Sequence, residues 1–99
     1  MRIDITGHHV DVTEALETHT RKAFSCIGER LGIFVHRVHA VLTVEKNLHC
    51  CEVQVSTDGK NLFAKSENRS MYIAIDQVAD KIRRQLETSK GKRRHASEV

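Results

Sequence analysis

The sequence predicts a two-layer α+β sandwich of order βαβββα, in which a four-stranded mixed sheet carries two helices on one face. Three observations predict this class. Residues 14–31 and 70–88 carry apolar side chains at helical spacing. Four other segments alternate apolar and polar residues, which is typical of half-buried strands. An Asp58-Gly59 pair stands between two of these segments, where a hairpin turn is expected.

The first two elements follow from local signals. Residues 2–6 alternate, with isoleucine on one side, and predict a short strand. Thr13 is a favourable N-cap for a helix over 14–31, and Gly32 is a favourable stop. The apolar stripe of this helix comprises Leu16, Ala23, Phe24, Ile27 and Leu31. A helix between two strands predicts that the strands are parallel neighbours joined by a right-handed crossover.

An antiparallel meander is predicted next. Its strands are expected over residues 35–46, 50–57 and 61–66. The Asp58-Gly59 turn places Thr57 opposite Lys60, which aligns apolar residues of the last two strands on one face. A loop over 46–49 would set Leu42 opposite Val53 and Val44 opposite Cys51. The other face of the sheet is predicted to be exposed or partner-facing.

The second helix is predicted to begin at the N-cap Ser70 and to run to about Thr88. Its apolar stripe comprises Met71, Ile75, Val78, Ile82 and Leu86. Lys81 and Arg84 lie on the opposite side, and Asp80 can pair with Arg84 at i,i+4. Residues 1–90 are therefore expected to form a single domain, and 91–99 a basic disordered tail.

Positive charge is concentrated at the C-terminal end of the chain. Between Lys81 and His95 there are seven basic residues and one acid, whereas residues 1–80 hold nine basic and eleven acidic residues. A concentrated cationic patch attracts polyanions, and phosphate contacts supply most sequence-independent affinity for nucleic acid. This asymmetry favours RNA as a partner, since a rigid basic helix suits shaped A-form RNA. The alternative interpretation is a solvated helix end, in which cations stabilise the helix dipole.

Enzymatic and metal-binding classes find little support. The three cysteines are too few and odd in number for a disulfide framework, and reduced thiols indicate a cytoplasmic protein. Adjacent Cys50 and Cys51 point to opposite faces of a strand, so they cannot bind one ion without distortion. The glycines form no phosphate-binding loop. We therefore predict no catalysis, no cofactor, no metal and no small-molecule substrate. Neither a membrane span nor a signal peptide is predicted.

Three rival functions stay open on the residues alone. One is a general double-stranded RNA-binding protein or RNA chaperone, which would bind naked duplex as well as any assembled target. Another is a small Cys/His enzyme or metal protein. The third is a protein–protein module that uses the open sheet face around Val41 and Phe63.

Beyond these patterns, the chain resembles the short form of the ribosome hibernation promoting factor family over nearly its full length. The segments that carry the resemblance are Ile3-Asp4-Ile5-Thr6-Gly7, Val12-Thr13-Glu14-Ala15-Leu16, Val44-Glu45-Lys46, Met71-Tyr72-x-Ala74-Ile75-Asp76 and Asp80-Lys81-Ile82-x-Arg84-Gln85-Leu86. Together these segments are specific, although each alone is weak. One departure is Ser70, where the family usually has aspartate. Both residues cap helices, so the fold is unaffected.

The resemblance implies a fold like that of double-stranded RNA-binding domains and a binding site on the small (30S) ribosomal subunit and its 16S ribosomal RNA. The site implied is the channel of messenger and transfer RNAs, whose occlusion inhibits translation in stationary phase or stress. Because the chain ends at Val99, we expect no second, dimerising domain. The brief tail favours the type that promotes paired, inactive ribosomes together with a separate ribosome modulation factor.

The resemblance also implies an RNA-binding set. Lys81 and Arg84 match basic positions of the family's second helix, and Lys46 matches a basic loop position. Lys22 lies close to a position in the first helix that is usually basic. Lys90 and Lys92 match the basic stretch just after the second helix, and the contribution of Arg93 and Arg94 rests on charge alone. The full set is Lys22, Lys46, Lys81, Arg83, Arg84, Lys90, Lys92, Arg93 and Arg94.

Overall fold

The element order βαβββα is confirmed by a computed structural model, which describes the backbone of residues 1–98 and the side chains of residues 1–88. The elements are β1 Arg2–His8, α1 Glu14–Leu31, β2 Val35–Glu45, β3 Leu48–Thr57, β4 Lys60–Asn68 and α2 Met71–Glu98. Neither helix, over the described residues, is long and apolar enough to cross a membrane.

The strands form one mixed sheet in the order β1-β2-β3-β4. β1 is parallel to β2, and the other neighbours are antiparallel. One end of the sheet holds the β2–β3 turn at Lys46, and the opposite end holds the β3–β4 turn at Gly59. We call these the Lys46 end and the Gly59 end. Since β1 and β4 both finish at the Lys46 end, α1 and α2 both begin there and run side by side toward the Gly59 end.

The register of the last hairpin is confirmed. Thr57 pairs with Lys60, and Val53 pairs with Ala64. Gly59 adopts a φ of 71°, a left-handed conformation that glycine reaches without steric cost.

The predicted register of the middle hairpin is wrong by two residues. Leu42 pairs with Cys51 rather than Val53, because the turn is shorter than the predicted loop. Lys46 adopts a φ of 55°, which makes a tight turn and lets Glu45 pair with Leu48. A slip of two residues returns each side chain to the same face, so the predicted core residues of β3 are nevertheless buried.

The core fills the space between the helices and one face of the sheet. Its fully or almost fully buried side chains include Phe24, Val38, Ala40, Leu42, Cys51, Val53, Val55, Ala74, Ile75, Val78 and Ile82. Both predicted N-caps are confirmed. The Thr13 Oγ1 accepts a hydrogen bond from the Leu16 amide at 3.2 Å, and the Ser70 Oγ accepts one from the Ile73 amide at 3.5 Å.

The second helix is longer than predicted. Its backbone continues to Glu98, past the expected end near Thr88 and through the segment expected to be a disordered tail. Lysine, arginine and alanine are good helix formers, so local propensity supports the continuation. Leu86 is the last α2 residue in the described core. Because a helix without tertiary packing is marginally stable, disorder of 91–99 in the free protein stays a prediction, as does the domain limit at residue 90.

Candidate nucleic-acid interface

The predicted RNA-binding residues occupy three separate parts of the fold. Lys81, Arg83 and Arg84 lie in the middle of α2. Lys22 lies on α1, and Lys46 forms the β2–β3 turn. Lys90, Lys92, Arg93 and Arg94 fall on the last part of α2, where only the backbone is described. Met71 begins α2 at the Lys46 end, and Lys81 lies about 15 Å further along the helix axis. Lys46 and Lys81 are therefore well separated, and the fold does not gather all these cations into one patch.

Lys81 is held in place although it is exposed. Its ammonium group donates a hydrogen bond to the backbone carbonyl of Lys65 on β4. One turn later, the Gln85 Nε2 donates to the carbonyl of Phe63 at 3.0 Å. These two bonds fasten α2 to the edge of the sheet. A lysine ammonium has three donors, so two remain to bind an anion. A cation that is fixed beforehand loses less side-chain entropy when it binds.

Arg84 reaches furthest into solvent. Its side chain is 73% exposed, and its Nε lies 3.0 Å from the Asp80 Oδ2, which confirms the predicted i,i+4 pair. No other ion pair of Arg84 is formed among residues 1–88. Because this contact uses the Nε, the two terminal amino groups form no ion pair within residues 1–88. Arg84 can therefore offer a bidentate contact to a phosphate.

Arg83 is engaged within the protein. Its Nη2 lies 2.6 Å from the Asp80 Oδ1, and its Nη1 lies 2.8 Å from the Glu87 Oε1. The hydrogen bond from Arg83 holds the pKa of the Asp80 carboxyl below its usual value, and the same bond raises the pKa of Arg83. Both partners therefore stay charged at neutral pH. Arg83 therefore has fewer N–H donors left for an anion than its neighbour Arg84, a difference that the sequence does not reveal.

Residues 1–88, whose side chains the structure describes, have no formal net charge. Residues 1–88 contain twelve basic and twelve acidic residues, and the net charge of +3 arises entirely from the residues that follow Thr88. Long-range attraction to a polyanion therefore depends on the end of α2. Lys81 and Arg84 are candidates for local contacts beside it.

The cysteines form no site in the described part of the molecule. Cys51 is fully buried, and burial raises the pKa of its thiol to about 12. Cys50 lies on the open sheet face, opposite to Cys51 as predicted, and burial raises its pKa as well. Among the described residues no group of histidine, cysteine and carboxylate side chains is arranged to hold a metal ion.

Sequence reasoning anticipated partial exposure of Tyr72 but missed its contact with His19. Tyr72, in the first turn of α2, is 42% exposed and contacts the His19 ring of α1. The sequence signal for its exposure is that Tyr72 lies just outside the apolar stripe of α2.

Comparison with known proteins places the chain in a family. Residues 3–94 match the family described as Sigma 54 modulation protein / S30EA ribosomal protein. The chain belongs to this family. A relative from Salmonella typhimurium, named Ribosome hibernation promoting factor, is 37% identical over 92 residues, which cover 93% of this chain and 96% of the relative. One of the same name from Azotobacter vinelandii is 37% identical over 86 residues, covering 87% of this chain and 79% of the relative.

Solved structures share the family fold. A ribosomal subunit interface protein from Coxiella burnetii superposes with a TM-score of 0.80 at 25% identity, covering 92% of this chain and 99% of that one. The N-terminal domain of Protein Y from Thermus thermophilus gives a TM-score of 0.82 at 21% identity, covering 89% and 98% of the two chains, and shows the fold alone. The predicted family is thereby confirmed. Its members are ribosome-associated binding factors and not enzymes.

Proposed function

We propose that this protein is a non-enzymatic ribosome hibernation factor that acts in the cytoplasm, where ribosomes are. The observation that carries the hibernation role is the match of nearly the whole chain to relatives named for it. In finer detail, the protein binds the small (30S) subunit in the channel of messenger and transfer RNAs. Occupation of that channel inhibits translation in stationary phase or stress.

The geometry of α2 supports contact with 16S ribosomal RNA phosphates. Lys81 is fixed against β4 and keeps two free donors, and the terminal amino groups of the exposed Arg84 form no ion pair within residues 1–88. Lys90, Lys92, Arg93 and Arg94 extend the basic helix for about 20 Å beyond Lys81. Each neutralised phosphate releases counterions, so affinity falls steeply as salt concentration rises.

Two further contacts belong to the same proposal. Lys46 projects from the turn at the Lys46 end, and Lys22 projects from α1, so either reaches RNA elements that α2 does not. The protein also acts with a separate ribosome modulation factor to promote or stabilise paired, inactive ribosomes.

The test is co-sedimentation with purified small subunits over a salt series, with naked duplex RNA as competitor. We expect saturable binding that excess duplex does not remove. The double variant Lys81→Glu/Arg84→Glu should fold normally and bind more weakly. The matched control, Arg2→Glu/Arg30→Glu, makes the same charge change on β1 and α1, away from the α2–β4 edge, and should bind more tightly than the α2 variant.

The outcomes separate this function from its main alternative, a general double-stranded RNA-binding protein or RNA chaperone. Binding that duplex removes would favour the alternative, which the rigid basic helix also suits. An absence of binding at low salt would refute both. Equal loss in the two double variants would show that only total charge matters and that α2 is not the RNA-binding surface.

A further inference from the structure

A shallow depression lies between the N-terminal halves of the two helices. Its volume is about 640 Å³, and its lining residues are Glu14, Ala15, Thr18, His19, Lys22 and Tyr72. It lies on the α1 side of α2, whereas Lys81 lies on the β4 side. It is therefore separate from the phosphate contacts proposed for α2, and it contains Lys22, the α1 contact of that proposal.

The floor of this depression is an exposed aromatic ring in a fixed orientation. Tyr72 is 42% exposed, and its ring meets that of His19 edge to face, with centroids 5.1 Å apart at an angle of 86°. The His19 Nε2 lies 2.7 Å from the Asp76 Oδ1, one helical turn after Tyr72. The carboxylate thus positions the imidazole, and the imidazole positions the tyrosine.

Charged groups stand on either side of the ring. Lys22 is one turn beyond His19 on α1, is exposed, and forms no salt bridge within residues 1–88. Its ammonium group suits a phosphate. Glu14, at the start of α1, offers a carboxylate that can accept hydrogen bonds from base amino groups or ribose hydroxyls. An aromatic platform with a cation beside it is the arrangement by which proteins hold single-stranded nucleotides.

We propose that the depression binds one unpaired nucleotide of RNA, with the base stacked on Tyr72 and a neighbouring phosphate paired with Lys22. The identity of the partner as RNA rests on the proposed function. A base within a duplex presents neither face to a side chain, so this site selects a nucleotide that is splayed out of a helix. It would add recognition of local RNA structure to the phosphate contacts of α2.

The protein carries its own probe of this contact, because Tyr72 is its only tyrosine and it has no tryptophan. Titration with a short single-stranded oligoribonucleotide should quench the tyrosine fluorescence at saturation. Neither duplex RNA of the same composition nor ribose 5-phosphate should quench this fluorescence. All titrations are corrected for light absorption by the added ligand, which is measured with free tyrosine amide. A second measurement uses RNA containing 5-iodouridine, whose photocrosslink should map to Tyr72 by mass spectrometry.

Variants separate stacking from folding. Replacement of Tyr72 removes the fluorescent probe, so the variants are compared by filter binding of a radiolabelled oligoribonucleotide. Tyr72→Leu should weaken single-strand binding by about 5-fold to 150-fold, the range expected for one base–aromatic stack, whereas Tyr72→Phe should retain it. Ile73→Ala is the matched control, since Ile73 is the next residue on α2, is 47% exposed, and does not line the depression. Unchanged affinity in Tyr72→Leu, or equal losses in Tyr72→Leu and Ile73→Ala, would overturn the proposal.

The same variants distinguish the two proposals on small subunits. If Tyr72→Leu binds subunits like the wild type, the nucleotide site is refuted and the hibernation function stands. If the wild-type protein does not bind subunits, the proposed function fails, and the oligoribonucleotide titration then decides the nucleotide site by itself.

Discussion

Arg83 and Arg84 are adjacent and chemically identical, yet the structure predicts opposite consequences when each is replaced by glutamine. Arg84 is 73% exposed and keeps its terminal amino groups for a phosphate. Arg83 is 32% exposed and is engaged by Asp80 and Glu87. Each substitution removes one positive charge from the same helix turn, so the long-range electrostatic change is the same. The difference between the variants therefore reports the local contact.

For Arg84→Gln, loss of one charge-assisted phosphate contact predicts about tenfold weaker binding to small subunits. The slope of log affinity against log salt should fall by about 0.7 to 0.9, the contribution of one phosphate. For Arg83→Gln, binding should change by less than about threefold, while the midpoint of urea denaturation should decrease, because Glu87 loses its partner and Asp80 keeps only Arg84.

The assay is filter binding to purified subunits over a salt series, paired with urea denaturation of the free variants. Equal loss of affinity from both substitutions, with unchanged stability in Arg83→Gln, would refute the reasoning. It would mean that the ion pairs of Arg83 open on binding and that both arginines contact RNA.

Other predictions follow from charge, packing and burial. Truncation after Thr88 removes four basic side chains, so the salt slope of subunit binding should fall by about 3 while the thermal midpoint stays unchanged. Gly7→Ala should destabilise the fold by about 1–3 kcal/mol in urea denaturation, because the new Cβ would collide with the Val10 carbonyl oxygen. At about pH 8.5, iodoacetamide should modify exposed Cys26 rapidly, whereas Cys51, whose pKa is raised to about 12, should stay protonated and react only after unfolding.

The two hairpins show what local sequence can predict here. Gly59 marks its own turn, since glycine reaches a positive φ without cost, and the register that follows is correct. Lys46 adopts a similar φ, but lysine gives no such signal, and the predicted register is two residues wrong. Tertiary packing of the strands imposes that turn. The predicted core residues are nevertheless buried, because the alternation of side chains along a strand fixes the face that each residue occupies.

The interface was less predictable than the fold. Charge counting identifies the basic segment, and i,i+4 spacing predicts the pair between Asp80 and Arg84. Neither of these signals shows that Arg83 also pairs with the Asp80 carboxylate and with Glu87. Nor does the sequence reveal that Lys81 is fastened to a carbonyl of β4, because that contact joins elements that are brought together only by folding.

The bonds from Lys81 and Gln85 to β4 also bear on how the protein behaves in a crowded cell. β4 is an edge strand, and the carbonyls of Lys65 and Phe63 point outward, where a strand from another molecule could add to the sheet. The two side chains occupy those acceptors and so block growth of the sheet at this edge. A substitution at Lys81 would leave the Lys65 carbonyl open to such a strand, whereas Gln85 would still occupy the Phe63 carbonyl. One ammonium group thus covers part of this sheet edge and belongs to the proposed RNA-binding set.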